Sequence, residues 1–269
     1  MSRVLDTPRS EGASPWRAVS VPREHGGWGL TLEPVLLGLL VAWSWAGLAI
    51  GLSAFGLFLV RTPTKLAIVD LRRHQWRSRS RLAARIAVLE TVVVLALAGA
   101  AVGASGPRWL TPVALAAPLV AVELWYGVRS KSRRSVPELC GAIGVASSSA
   151  AIVLAAGEDW GLAVSVWLVL AARSIASILF VRARIVLIHR GICATRGSDL
   201  AQVAGLAVAV TAVAVDRRTW LGAFCVLAIV IAQAWWSRRT PPAIKVVGFR
   251  QMGLGLALVV STTIGVWLG

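Results

Sequence analysis

Apolar residues along this chain fall into long runs separated by short polar stretches, and each run has the length of a bilayer crossing. A helix rising 1.5 Å per residue needs roughly 17–25 mostly apolar residues to cross the hydrocarbon. Nine stretches meet that requirement: 26–42, 46–64, 86–104, 110–126, 136–156, 160–181, 199–215, 220–236 and 249–267. Inside the bilayer every backbone N–H and C=O has to be satisfied within the segment, so each run is expected to be a helix. The pattern therefore predicts an all-α, polytopic membrane bundle of about nine transmembrane helices. The second run is expected to reach toward Asp70, with Pro63 straining or ending the helix on the way. Residues 1–21 hold Pro8, Pro15, several Ser and Gly12 with no apolar segment, and are expected to form a disordered cytoplasmic tail. Residues 22–269 are then a single transmembrane domain.

Charge tells which way such a bundle faces. The chain has 28 Lys and Arg against 12 Asp and Glu, a formal net charge of +16. In a soluble protein that excess would raise nucleic acid as a partner. With 57% hydrophobic residues and a mean hydropathy of +0.74, it points instead to cytoplasmic loops facing anionic lipid, and no nucleic-acid partner is expected. Apart from Arg108, Arg173, Arg217 and Arg218, every Lys and Arg precedes the first run or falls in alternate loops, within 61–85, 129–134, 182–196 and 238–250. This alternation puts the N-terminus inside and the C-terminus outside. Tryptophans near the run ends, among them Trp43, Trp109, Trp160, Trp220, Trp235 and Trp267, suit an aromatic belt, and membrane lipids are the expected surroundings. Small residues at Gly99 and Gly103, Gly141 and Gly144, and Gly253 and Gly255 are expected to let helix backbones approach closely. Cys140, Cys193 and Cys225 show no spacing typical of zinc and read as packing residues.

Ionisable groups inside the runs cost on the order of 2.5–3.5 kcal/mol each on insertion scales, so they are expected to face a cavity or a partner. Glu33, Glu90, Glu123, Glu138 and Arg173 are of this kind. The stretch from Pro22 to Arg85 concentrates further candidates: Glu24 and His25 lead into the first run, and Arg61, Lys65 and Asp70 follow the second. The short uncharged turn Trp43-Ser44-Trp45 returns both polar ends to the same side. His25, flanked by Glu24 and two glycines, titrates near neutral pH and is a candidate proton shuttle alongside Glu24 and Glu33. The alternative for His25 is an interfacial histidine with structural hydrogen bonds. Arg61 and Lys65 are four residues apart on one helix face, and with Arg129, Arg182 and Arg184 they suit forked hydrogen bonds to a phosphate or diphosphate. Against that stand solvated, lipid-facing loops and, for Glu33 or Glu138, ion pairs with Arg173 or Lys65 that tie helices together.

The stretch Pro22-Arg23-Glu24-His25-Gly26-Gly27-Trp28, followed by Glu33-Pro34, resembles the EHG hallmark of the YwiC-like family of bacterial membrane proteins. The likeness extends through RTPTKLAIVDLRR and VRARI and covers most of the chain. It implies a multi-pass protein of the bacterial inner (cytoplasmic) membrane and assigns no reaction. More distantly, Tyr126-Gly127-Val128-Arg129-Ser130-Lys131 with Pro137 and Gly141-Ala142-Ile143-Gly144 is similar to the tyrosine-plus-basic stretch and glycine helix of the UbiA superfamily of intramembrane prenyltransferases. That resemblance implies a UbiA-like arrangement of nine helices with active-site loops after helices two and six. It also implies a prenyl or lipid-like anionic substrate. UbiA-type enzymes hold magnesium and diphosphate through two Asp-rich motifs, where this chain has Arg61, Lys65 and a lone Asp70, then Arg173, Arg182 and Arg184. Cations in place of carboxylates argue against magnesium, no metal-ligand set is expected, and the cofactor is left open.

Three readings follow. The first is a UbiA-like enzyme or lipid-binding protein, with Glu24, His25, Glu33 and Asp70 in catalysis and Arg61, Lys65, Tyr126, Arg129, Arg173 and Arg182 on the substrate. The second is a small-molecule or proton-coupled transporter whose buried charges exchange partners. The third is a non-catalytic membrane assembly subunit, with protein partners the sequence does not name.

Overall fold

The computed structural model describes residues 25–74, 78–129, 134–193 and 195–269. The expected tail, Glu24 and Lys131 lie outside the described residues. Nine α-helices run through the described residues: α1 (His25–Val41), α2 (Trp45–Arg72), α3 (Ser78–Ser105), α4 (Leu110–Val128), α5 (Ser135–Ala155), α6 (Trp160–Arg190), α7 (Arg196–Val215), α8 (Trp220–Ser237) and α9 (Ile244–Leu268). A single turn of 3-10 helix, Arg217–Thr219, leads into α8. Eight of the nine are long and apolar enough to cross a membrane. The 17-residue α1 is the short one, about 25 Å long against a hydrocarbon core of about 30 Å.

At one end of the bundle the helices stop close to where hydropathy ends; at the basic end they overrun it. α2 continues to Arg72, α3 starts at Ser78, α6 runs to Arg190 and α9 starts at Ile244. Hydropathy records only the part of a helix that lies in hydrocarbon. Helical hydrogen bonding continues into water, where Arg and Lys are good helix formers. Pro63 does not end α2: it is buried within the unbroken helix, where neighbouring helices support the turn that has lost one backbone hydrogen bond. Ser44 caps the start of α2, accepting from the Gly47 N–H at 2.9 Å, and Asp159 caps α6 from the Leu162 N–H at 2.9 Å. Gly191, with φ +65°, closes α6 in the left-handed conformation that glycine tolerates.

The most deeply buried helices are α5 and α6. α5 packs against α1, α2, α4 and α6, whereas α6 packs against α5, α7 and α8. Ile152 of α5 is the point where three helices meet: a Cβ at Gly38 of α1 would lie 2.9 Å from its Cβ, and one at Gly47 of α2 would lie 2.8 Å from its Cγ2. Of the small residues expected to draw helices together, Gly141, Gly144 and Gly255 do so. Gly99, Gly103 and Gly253 face open space instead. For the first two the reason is position, since α3 packs chiefly on α2 and leaves Val88, Leu89, Val92, Val93 and Leu95 exposed toward the lipid.

Candidate functional site

Deepest in the bundle is an ion pair. Arg173 of α6 donates from Nη1 to Glu33 of α1 at 2.8 Å, with side chains 5% and 8% exposed. Its Nη2 donates to the Gln251 carbonyl of α9 at 2.8 Å. Gly255, one turn further along α9, leaves the room for both groups, since a Cβ there would overlap the Glu33 carboxylate and the Arg173 guanidinium. A line of amides extends from this point across the bundle. Gln202 of α7 donates to Gln233 of α8 at 2.8 Å, and Gln233 donates to the Ser177 hydroxyl at 3.0 Å. On α6, residues 173, 177, 180 and 184 share one stripe at helical spacing, and the contacts of Arg173, Ser177 and Arg184 show that stripe facing α8 and α9.

Toward the basic end, two more ion pairs flank the first turns of α5. Arg61 of α2 binds Glu123 of α4 at 2.6 Å, and Arg182 of α6 binds Glu138 of α5 at 2.8 Å. Gly141, one turn after Glu138, admits the first pair against α5, because its own Cβ would fall 2.9 Å from Glu123. Both arginine side chains are 32% exposed, unlike that of Arg173. Lys65 is exposed one turn beyond Arg61. At the end of α4 the Arg129 guanidinium lies 4.1 Å above the Trp125 ring, and Tyr126 between them is half-buried.

Of the residues the sequence singles out, the structure therefore gathers Arg61 and Arg182 around α5, with Lys65, Tyr126 and Arg129 on neighbouring turns at the same end. Glu33 and Arg173 lie together but deeper, nine residues or roughly 13 Å along α6 from Arg182. Asp70 stands apart: it accepts from the Ser80 hydroxyl at 2.6 Å and clasps the α2–α3 hairpin. His25 opens α1. Arg184, only two residues from Arg182, points the other way around α6 and donates to the Ser237 and Arg239 carbonyls at 3.2 and 2.8 Å. Glu90 has one buried carboxylate oxygen with no partner among the described residues. Also among the described residues, no group of three or more His, Cys, Asp and Glu comes together as a metal site.

Sequence reasoning passed over Gln202, Gln233 and Gln251. Each is a solitary amide in or beside an apolar run, and burying an amide without a partner costs free energy as burying a charge does. The cost of an unpaired amide is smaller than that of a charge, so these residues stand out less in an apolar run.

An all-helical bundle of apolar helices, with charged side chains paired between them and an excess of cations at one end, is a multi-pass integral membrane protein. The family model for YwiC-like proteins matches residues 21–156, about half of the chain, and the chain belongs to that family. The matched part carries the whole Arg61–Glu123 pair and the acid of each of the other two, Glu33 and Glu138. No curated protein and no solved structure matches the chain.

Proposed function

We propose that this YwiC-like protein lies in the bacterial cytoplasmic membrane and holds a phosphate- or diphosphate-bearing prenyl or lipid-like amphiphile at its basic end. In this reading it is a UbiA-like enzyme or lipid-binding protein. The observation that carries the proposal is the placing of Arg61 and Arg182 on either side of α5, each oriented by one carboxylate and each still 32% exposed. A guanidinium has five N–H donors in a fixed fork, so one carboxylate fixes its direction without using all of them. Glu123 and Glu138 then aim the cations, and the anion binds against the part of each side chain that stays exposed. Lys65 adds a mobile charge, and Arg129, stacked on Trp125, presents a cation whose position the indole already restrains.

Cations stand where a magnesium pair would need carboxylates, so neutralising a diphosphate falls to guanidinium and ammonium groups. Proton transfer is assigned to Glu24, His25 or Glu33, and Tyr126 to the substrate beside Arg129. Asp70 positions the hairpin that carries Lys65. The test is a titration of the detergent-purified chain with farnesyl diphosphate, followed by tryptophan fluorescence. Arg61→Ala and Arg182→Ala should each weaken binding by about tenfold or more, some 1.4 kcal/mol. Identical affinity in the double variant would exclude this site.

A transporter reading draws on a different observation, the Glu33–Arg173 pair with its line of buried amides across five helices. Ionisable groups at that depth mark ion or substrate pathways in many membrane proteins. pH-dependent uptake into proteoliposomes, abolished by Glu33→Gln, would favour it over lipid binding.

A further inference from the structure

We infer that a second oxyanion site, separate from the one around α5, lies at the basic end between α6, α8 and α9. Arg184, Arg239 and Arg250 line one pocket there, together with Thr240 and Gln251. Three features argue for an anion of the phosphate type.

The first is charge balance. Arg184 is 3% exposed, yet its hydrogen bonds run to the carbonyls of Ser237 and Arg239, and among the described residues none of the three arginines has a carboxylate in ion-pairing range. Arg173, the other arginine with almost no solvent exposure, has Glu33. A buried cation without a counter-ion is costly, and a bound anion supplies what the chain omits. The second is preorganisation: Arg239 lies 4.6 Å over the Trp235 ring and Arg250 lies 4.9 Å over that of Trp236. Stacking restrains both guanidinium groups before any ligand arrives. The third is Gln251, which lines the same pocket and whose side-chain nitrogen has no acceptor among the described residues. A donor left without an acceptor is destabilising, and a small turn of the amide toward the pocket would offer it to an oxyanion.

Every polar side chain lining the pocket donates hydrogen bonds and none is acidic, which selects against cations. The phosphate belongs either to a free ion or phosphorylated solute, or to the headgroup of an anionic lipid reached from the membrane face.

The test uses the full chain and the double variant Arg239→Gln/Arg250→Gln; both side chains are exposed, and glutamine at 239 keeps the backbone carbonyl that accepts from Arg184. Unfolding temperature is followed with millimolar inorganic phosphate in detergent, and separately in nanodiscs of phosphatidylglycerol against phosphatidylcholine. Stabilisation by phosphate that persists in Arg61→Ala but needs at least tenfold more phosphate in the double variant identifies a free oxyanion. Stabilisation by phosphatidylglycerol alone, lost in the double variant and kept in Arg61→Ala, identifies a lipid headgroup. If neither phosphate nor phosphatidylglycerol distinguishes the double variant from the native chain, the site does not exist. Because Arg61→Ala reports on the α5 site, failure of one proposal is separable from failure of the other.

Discussion

At the outer end of the molecule Arg218 sits among three acids, Glu158, Asp159 and Asp216. Those contacts tie the α5–α6 turn to the α7–α8 turn. Asp159 also caps α6, and the Leu162 N–H, then the Arg218 guanidinium, hold its carboxyl below the usual carboxylate range. At the basic end Arg61 and Arg182 have one acid each, while Arg184, Arg239 and Arg250 have none among the described residues. Arg218 at the outer end is surrounded by acids, whereas the far more numerous arginines of the basic end include several without a carboxylate among the described residues. Membrane topology explains why arginines gather at one end. It does not explain which of them are paired, and the unsatisfied ones are where an anion from outside the chain is expected to bind.

The Glu33–Arg173 pair between the two ends sets the scale for a fully desolvated partner. Glu33→Gln should cost about 3–5 kcal/mol, because it leaves a buried guanidinium uncompensated. The measurement is thermal unfolding in detergent, with Glu138→Gln as the contrast at below about 1 kcal/mol for a part-exposed pair. Equal losses would erase the distinction between buried and exposed pairs. Next in size, Arg61→Ala and Arg182→Ala should weaken farnesyl diphosphate binding about tenfold, whereas Arg218→Ala should leave it unchanged. A matching loss in Arg218→Ala would mean the two ends do not differ as described.

Smaller effects belong to the outer end. Arg218→Gln should lower stability by up to about 1 kcal/mol and speed hydrogen exchange at the Leu162 amide, with no effect on lipid retention. The least is a pH effect at Asp159. Its carboxyl is held low, so the stability it adds is fully present above the ordinary carboxylate pKa of about 4 and is lost as pH falls through its depressed value. Unfolding temperature recorded from pH 5 downward should show a shallower acid decline in Asp159→Asn; an identical decline would remove Asp159 from the account.

How much of this was legible in the sequence differs between fold and site. Nine apolar runs and the alternation of basic loops yielded the helices and their order, because desolvating backbone and charge are large effects that composition reports directly. The pairing of Glu33 with Arg173 was among the expected alternatives. Arg182 and Arg184 could not be separated by composition, yet two residues are about 200° apart on a helix, so one faces α5 and the other α8. Glu123 as the partner of Arg61 was out of reach, since it depends on how closely Gly141 lets α4 approach α5. Asp70 is a catalytic candidate in the sequence as a lone acid among cations, and its hydrogen bond with Ser80 is visible only in the hairpin geometry.

The most direct test of the central claim is native mass spectrometry of the protein purified in mild detergent, with extraction and identification of whatever remains bound. The account predicts a stoichiometric phosphate- or diphosphate-bearing amphiphile in the native chain, lost from Arg61→Ala and retained in Arg218→Ala. A bare protein, or the same bulk lipids in all three, would contradict it and move the weight to transport through the Glu33–Arg173 pair.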